Sequence, residues 1–214
     1  MSLPPPKIIG AICVYNDYEF LSDVIDSISL HLDKLYIVEG AWQTAIDSGA
    51  SKRSNQKTLD IINSKLNDKI KYHPVNKETE TSQRQEAADI CKGQGDFLFC
   101  PDADEVFTPE SILNIKNELA NIFHKDEYFG VKLCSYNFFD NFKTYYDGCY
   151  PRMYRLTDDL TCFETNHFWW PNHNRNPSNY ISLDDDKYKF YHFSYMRKNT
   201  NLFHIKMKFL EKEF

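Results

Sequence analysis

Long apolar runs, glycine-rich phosphate loops, paired cysteines and an excess of basic charge are all missing from this sequence, and each absence excludes something. No stretch approaches the ~20 apolar residues of a membrane span, and the proline-rich start has no apolar core of the secretory type. A soluble, cytoplasmic protein is expected. No G-x-G-x-x-G follows the first apolar run and no G-x-x-x-x-G-K-[ST] occurs, which disfavours a dinucleotide-binding dehydrogenase and a P-loop protein. The G-x-S-x-G elbow of acyl transfer is absent too. Six cysteines, Cys13, Cys91, Cys100, Cys134, Cys149 and Cys162, are scattered without a C-x-x-C pair, so reduced and mostly buried thiols are expected. Lys and Arg number 25 against 31 Asp and Glu, a net charge of -6, which argues against a broad nucleic-acid footprint. The basic residues Arg197, Lys198, Lys206, Lys208 and Lys212 read as a solvated helix face rather than a contact to nucleic acid or an anionic membrane.

What is present centres on residues 96–105, DFLFCPDADE. A short apolar run of the buried-strand type ends in three carboxylates, at the strand edge where open parallel sheets place their ligands. Asp102 and Asp104 are two apart, so on an extended chain both leave on one side and can close on one cation. Three acids this close need a cation or basic groups to compensate them.

Around this stretch the chain alternates. Lys7 to Val14 reads as a strand, and Tyr15-Asn16-Asp17 can end it and cap a helix over Tyr18 to Leu32, whose apolar residues recur at intervals of three and four. Leu35 to Val38 is a second strand, ending in Glu39-Gly40 at the same edge as Asp102. Residues 43–53 read as an irregular loop, Ser54 or Asn55 as the cap of a helix with Leu59, Ile62 and Leu66 inward, and Ile70 to His73 as a third strand. Thr81-Ser82 opens a helix through Cys91 with Arg84 in its first turn, either facing an anion or paired with Glu80 or Glu86. Thr108-Pro109-Glu110 starts a helix to about Phe123. Four strand–helix alternations over 7–123 predict an α/β fold with a mostly parallel sheet covered on both faces. The half from 124 to 214 changes character: 15% of the chain is aromatic, crowded into 128–195, which suggests a cleft for a flat or ring-shaped ligand or a Tyr/Phe-rich core. Tyr128 to Tyr136 and Phe138 to Tyr146 read as antiparallel strands, Pro151 to Leu156 as another strand with Arg152 and Arg155 on one side, 157–182 as a long loop, Asp184 to Asp186 as a solvated turn, and Tyr188 to Tyr195 as a strand containing His192. A basic helix is expected from about Thr200. With no linker-like stretch, 214 residues read as one domain.

A cation held by carboxylates at a strand edge, with an arginine near it, is what is needed to bind a diphosphate and stabilise it as a leaving group. In their order, IIGAICVYN, LYIVEGA, KIKYH, TSQRQEAAD, GDFLFCPDADE, YPRMYRL and FYHFSYMR resemble the family 2 glycosyltransferases. These have the GT-A, Rossmann-like fold of nucleotide-diphospho-sugar transferases, and the likeness is to the Asp-Ala-Asp-Glu subgroup that includes lipopolysaccharide core glucosyltransferase-like proteins. It covers about residues 7–198.

The resemblance implies a metal-dependent transfer of sugar from a UDP- or GDP-linked donor to a hydroxyl of a glycan, a lipid-linked sugar or another compound, with inversion the expected outcome. Val14, Tyr15 and Asn16 would border the base, and Glu39 would take the place of the acid, more often Asp, that reads the nucleoside. Arg84 would approach the diphosphate, with Arg152 and Arg155 on the donor side. Asp102 would lie nearer the ribose or the metal and Asp104 directly on Mn2+ or Mg2+, while His192 would reach the metal or the diphosphate. Glu164 is the first choice of base for the acceptor hydroxyl and Asp147 the second. Trp169 and Trp170 either stack on the acceptor or close a core. A sugar-phosphate nucleotidyltransferase is an alternative, although it normally carries a Gly-rich, basic loop where Val14-Tyr15-Asn16-Asp17-Tyr18 stands. A non-catalytic binding protein of the same fold is another.

Overall fold

The strand Ile8–Val14 (β1) is buried almost throughout and feeds two cores by alternation. Ile8, Ile12 and Val14 enter one apolar cluster, and Ile9 and Ala11 enter the other. A strand with two apolar faces belongs inside a sheet covered on both sides, and β1 lies between Lys34–Glu39 (β2) and Phe97–Phe99 (β4), parallel to both. The structure, a computed structural model, describes residues 5–122, 128–139, 141–163, 168–171 and 180–196.

The remaining elements are the helices Leu21–Ser29 (α1), Gln43–Asp47 (α2), Gln56–Lys65 (α3), Glu80–Asp89 (α4) and Pro109–Ile122 (α5), and the strands Ile70–Pro74 (β3), Glu105–Phe107 (β5), Gly130–Phe139 (β6), Asn141–Arg155 (β7), Leu160–Phe163 (β8), Phe168–Pro171 (β9), Tyr180–Leu183 (β10) and Phe190–Tyr195 (β11). The main sheet runs β3-β2-β1-β4-β7-β6-β11-β5, with β10 also on β6. Pairing is parallel from β3 to β4 and for β10 and β11 on β6, and antiparallel at β4–β7, β7–β6 and β11–β5. One core is built by α1 and α5 through Leu21, Val24, Ile25, Ile28, Ile112, Ile115 and Leu119; the other takes Ala87 and Ala88 of α4. Among the described residues no helix is long and apolar enough to cross a membrane.

Several sequence expectations are corrected. α1 starts only at Leu21, with Phe20 at its cap position and no side-chain cap. The stretch 43–53 contains α2, so it is not wholly irregular. Asn55 caps α3 by accepting from the Thr58 amide, while Leu66 lies past its end and is exposed. Thr79, not Thr81, caps α4 in a reciprocal box with Ser82, which places Arg84 beyond the first turn. The strand expected at Pro151–Leu156 is the end of β7, continuous from Asn141. The expected long loop contains β8, β9 and β10, and β8 and β9 pair as a ribbon. The helix expected from Thr200 lies outside the described residues. Cys134 and Cys149, opposite one another on β6 and β7, form a disulfide with Cα atoms 4.0 Å apart. Two of the six thiols are therefore not reduced, because the hairpin register brings together residues 15 apart that carry no local signature.

Candidate active site

After β4 the chain turns rather than staying extended. The Glu105 amide donates to the Asp102 carbonyl at 3.2 Å, and the Asp102 amide donates to Glu105 Oε2 at 3.0 Å. The turn aims the two aspartates at different partners, so their i, i+2 spacing does not put them on one side as an extended chain would. Asp102 sits between two guanidiniums: Arg84 Nη2 donates to its Oδ1 at 2.9 Å and Arg152 Nη2 to its Oδ2 at 2.8 Å. Each arginine is braced by a second acid. Arg84 Nε donates to Glu80 Oε1 at 2.9 Å on its own helix, and Arg152 makes a forked pair with Glu105, 2.7 Å from Nε to Oε2 and 2.5 Å from Nη2 to Oε1. The result is an alternating chain, Glu80, Arg84, Asp102, Arg152, Glu105, which supplies the compensation the acidic stretch requires.

Burial sets the character of this chain. Glu105 is fully buried, and desolvation pushes its carboxyl above the usual range even though Arg152 opposes the shift. Burial alone would lower both arginines, but Asp102 and Glu80 raise Arg84, and Glu105 and Asp102 raise Arg152, so both stay charged. Arg152 reaches the site through a bulge. Val131 pairs with Met153 and Lys132 with Pro151, which leaves Arg152 as the extra residue. The bulge also accommodates Pro151 within an interior strand.

Arg155, three residues on, points elsewhere: its Nε donates to the Tyr128 carbonyl at 2.8 Å and its guanidinium lies 5.8 Å from the Phe97 ring centroid. The expectation that both arginines share a side fails because an odd spacing along a strand changes face. Arg155 thus ties β7 to the segment before β6.

Asp104 belongs to a second group. His192 lies opposite Glu105 on β5 and opposite Asn137 on β6. Asn137 uses its amide hydrogens on Ser135 Oγ and the Tyr146 carbonyl, so its Oδ1 accepts from His192 Nδ1 at 2.6 Å. Ser194 Oγ donates to Asp104 Oδ2 at 2.9 Å and accepts from His192 Nε2 at 2.8 Å, while Nε2 stands 3.5 Å from Asp104 Oδ1. This network needs protons on both ring nitrogens. Accordingly, although burial by itself would lower the His192 pKa, Asp104, Glu105 and Asp102 outweigh it and raise it. Tyr150 links the two groups, 6.1 Å from the His192 ring and 5.3 Å from the Arg152 guanidinium carbon. Its ring lies over Gly148, where a Cβ would come within 2.8 Å of it and 2.7 Å of Asn137 Nδ2.

At the end of β2, Glu39 is fully buried. Its Oε1 accepts from the Ser54 amide at 2.7 Å and its Oε2 from the Tyr72 hydroxyl at 2.8 Å, with Arg53 3.6 Å away. Burial, followed by Glu39, pushes the Tyr72 hydroxyl up to about 12. Gly40 follows at φ +148°, and a Cβ there would lie 1.8 Å from the Val75 carbonyl, so only glycine lets β3 approach. Val14 is a core residue and its side chain does not border the edge. Tyr15 is partly exposed, donates to the Ser51 carbonyl at 2.8 Å and lies 6.5 Å from the Trp42 ring. Asn16, at φ 56°, accepts from the Asn55 amide at 2.7 Å and holds the α3 cap in place.

Asp147, the second choice of base, has a defined placement. It lies opposite Tyr136, one residue from the Asn137–Tyr146 pair, so it faces away from His192 and pairs with Lys189 at 3.2 Å. Glu164 lies outside the described residues. Trp169 and Trp170 belong to β9, in register with Cys162 and Thr161 of β8. β8 docks on α4 through Gln85, which donates to the Leu160 carbonyl and accepts from the Cys162 amide. Sequence reasoning missed Glu105, Asn137, Tyr150 and Ser194 as members of these networks, while Glu80 was expected as a partner of Arg84 and is one. Ser194 was accessible through its i+2 relation to His192 on a strand, and Glu105 as the third acid of the stretch.

Asp102 and Asp104 offer the oxygen donors that suit Mn2+ or Mg2+, and His192 adds an imidazole donor once it gives up its Nε2 proton, so the donor chemistry fits. Among the described residues, no group of three His, Cys, Asp or Glu is arranged to hold an ion.

No family model matches this sequence, and no curated protein matches it. The chain is similar to the solved structure of S. aureus TarS 1-349, with a TM-score of 0.50 and 13% identity over 88% of this chain and 60% of that one. It is similar also to a longer S. aureus TarS structure, again with a TM-score of 0.50 and 13% identity, over 87% of this chain and 36% of that one. A further match, at TM-score 0.49 and 10% identity, is 4-diphosphocytidyl-2C-methyl-D-erythritol synthase from Anaerococcus prevotii, covering 96% of this chain and 98% of that one. This chain therefore spans less than two thirds of either TarS structure. What the likeness establishes is the fold: a GT-A, Rossmann-like α/β chain with a mostly parallel sheet flanked by helices.

Proposed function

We propose that this chain is a metal-dependent glycosyltransferase acting on a nucleotide-diphosphate sugar, UDP- or GDP-linked. The observation that carries this reading is Asp102 at the carboxyl end of β4, bracketed by Arg84 and Arg152, with the Asp104–His192 pair next to it. A strand edge with two cationic forks and two aspartates suits a diphosphate, whose charge must be neutralised as it leaves. Asp102, Asp104 and His192 would hold Mn2+ or Mg2+, which when bound supplies Lewis-acid stabilisation of the leaving diphosphate. Arg84 contributes a mobile positive charge to the same group. Arg152 acts through Asp102, as a positioning residue braced by Glu105. Tyr15 and Trp42 form the aromatic rim beside which the nucleoside would lie, with Asn16 shaping the loop. Glu39 serves that region by holding Ser54 and Tyr72 in place. The β8–β9 ribbon, carrying Trp169 and Trp170 and docked on the helix of Arg84, is the proposed acceptor side, with Glu164 as the base that takes the hydroxyl proton.

Thermal stabilisation by UDP, GDP, CDP, TDP and ADP, each with and without Mn2+, tests the donor site, since a ligand of the native state raises its stability by RT ln(1 + [L]/Kd). The expected result is a Mn2+-dependent shift for one nucleotide that disappears in Asp104→Asn. No shift with any nucleotide overturns the reading, and release of pyrophosphate from a nucleoside triphosphate would replace it with nucleotidyl transfer.

A further inference from the structure

Asp102 has one guanidinium on each oxygen, so a cation that used this carboxylate would have to displace an arginine or share its charge with one. The two arginines differ in how easily they can leave. Arg152 is forked onto Glu105, which is fully buried, and its departure would strand an unpaired charge in the core. Arg84 is braced by Glu80, whose side chain is 24% exposed, and Asp102 itself is 30% exposed. If Arg84 swings away, both carboxylates it leaves can be met by water. Its anchors also lie on separate elements, α4 and the turn after β4, and a single side-chain rotation breaks the link between them.

Resting on the donor-site reading above, we infer that Arg84 is a latch: in the empty protein it holds Asp102 closed to divalent cations, and an incoming nucleoside diphosphate opens it by offering Arg84 a better anion. The diphosphate draws the guanidinium off Asp102 Oδ1, and that oxygen then takes the cation in its place. Cation and nucleotide therefore bind cooperatively, each raising the affinity of the other by the same factor. The order is built into the charge chain: cation alone meets a carboxylate already neutralised, whereas nucleotide alone meets a positive fork. Divalent cations on their own are thus poor ligands of the resting site.

The test is Mn2+ binding to the full chain, read from the loss of the free-ion electron paramagnetic resonance signal, without nucleotide and with UDP or GDP. In the wild-type protein, nucleotide should tighten Mn2+ about 10-fold, within the usual range of coupling. Arg84→Gln should bind Mn2+ alone about 5-fold more tightly than wild type, the scale of one lost partly exposed ion pair, and its coupling to nucleotide should fall by the same factor, leaving only what the cation's own contact with the diphosphate supplies. Arg84→Lys keeps the charge but loses the fork that spans Glu80 and Asp102, so it should also bind Mn2+ alone more tightly, by a smaller factor. Equal or weaker Mn2+ binding by Arg84→Gln overturns the latch, as does a gain in Arg84→Gln with none in Arg84→Lys, which would mean a simple field effect. Melting curves check folding, and Arg84→Met, which retains the aliphatic stem, replaces the Gln variant if that one melts early. Absence of Mn2+ binding to wild type with every nucleoside diphosphate would sink the donor-site reading itself. Nucleotide-dependent Mn2+ binding without the Arg84 effects would sink only the latch.

Discussion

Two acids stand at the same carboxyl edge of the sheet, Glu39 after β2 and Asp102 after β4, on strands that flank β1 in parallel. Glu39 is fully buried, and its oxygens accept from a backbone amide and a tyrosine hydroxyl. Asp102 is partly exposed, and its oxygens accept from two arginine side chains. Position at a strand end therefore does not fix an acid's partners. What separates the two is that Glu39 is closed in by neutral donors, whereas Asp102 is partly open to solvent and met by two cations.

The largest expected effect comes from the acid that underlies Asp102. Glu105→Ala leaves the Arg152 guanidinium buried with only Asp102 to oppose it, and should cost about 4 kcal/mol of unfolding free energy in urea. Glu105→Gln should cost less, because it keeps the shape. A smaller loss would mean that Arg152 finds water, and that the buried end of the charge chain is as replaceable as its exposed end.

Asp102→Asn and Glu39→Gln then separate the two edge acids directly. For Asp102→Asn the expectation is a roughly 100-fold loss of sugar transfer with unfolding free energy within about 1 kcal/mol of wild type. Glu39→Gln should reverse the pattern, losing about 2 kcal/mol of stability through a weakened Ser54 and Tyr72 junction while retaining most nucleotide affinity in the folded protein. If Glu39→Gln instead abolishes nucleotide binding with stability unchanged, Glu39 reads the nucleoside and the two ends are alike.

The smallest effect uses a third carboxylate as a calibration. Lys77 and, secondarily, His73 hold the Glu86 carboxyl below its ordinary value of 4.5 despite burial. A folded pKa below the unfolded one gives stability that is present above about pH 4.5 and lost as pH falls through the folded value. Lys77→Ala should flatten that acid limb by under about 1 kcal/mol, measured by urea unfolding between pH 6 and pH 3. An unchanged slope would assign the acid limb to other carboxylates.

Much of the first half was legible because its signals are local. The three- and four-residue spacing of Leu21, Val24, Ile25 and Ile28 marks an amphipathic helix, and all four are buried as that spacing requires. Thr108-Pro109-Glu110 marked the start of α5 for the same kind of reason. The second half was less legible. β7 is 15 residues long and passes through Pro151, which reads as a strand break unless the bulge opposite Lys132 is known. β8 and β9 are short strands whose pairing is with each other, so no run of alternation announces them.

By itself the sequence determined the strand–helix alternation of residues 7–123, the arrival of three acids at the end of a buried strand, and a strand carrying His192. These follow from side-chain periods of 2 and 3.6 and from caps, which neighbouring residues encode. Tertiary structure alone decided that Arg152 enters the site while Arg155 leaves it, that Glu39 is sealed, that Asp147 faces away, and that Cys134 meets Cys149. The reason is distance along the chain: Arg84 meets Asp102 across 18 residues, Arg152 meets it across 50, and Ser194 meets Asp104 across 90. Which partner a carboxylate finds is settled by strand order and register, and the residues around it carry no record of either.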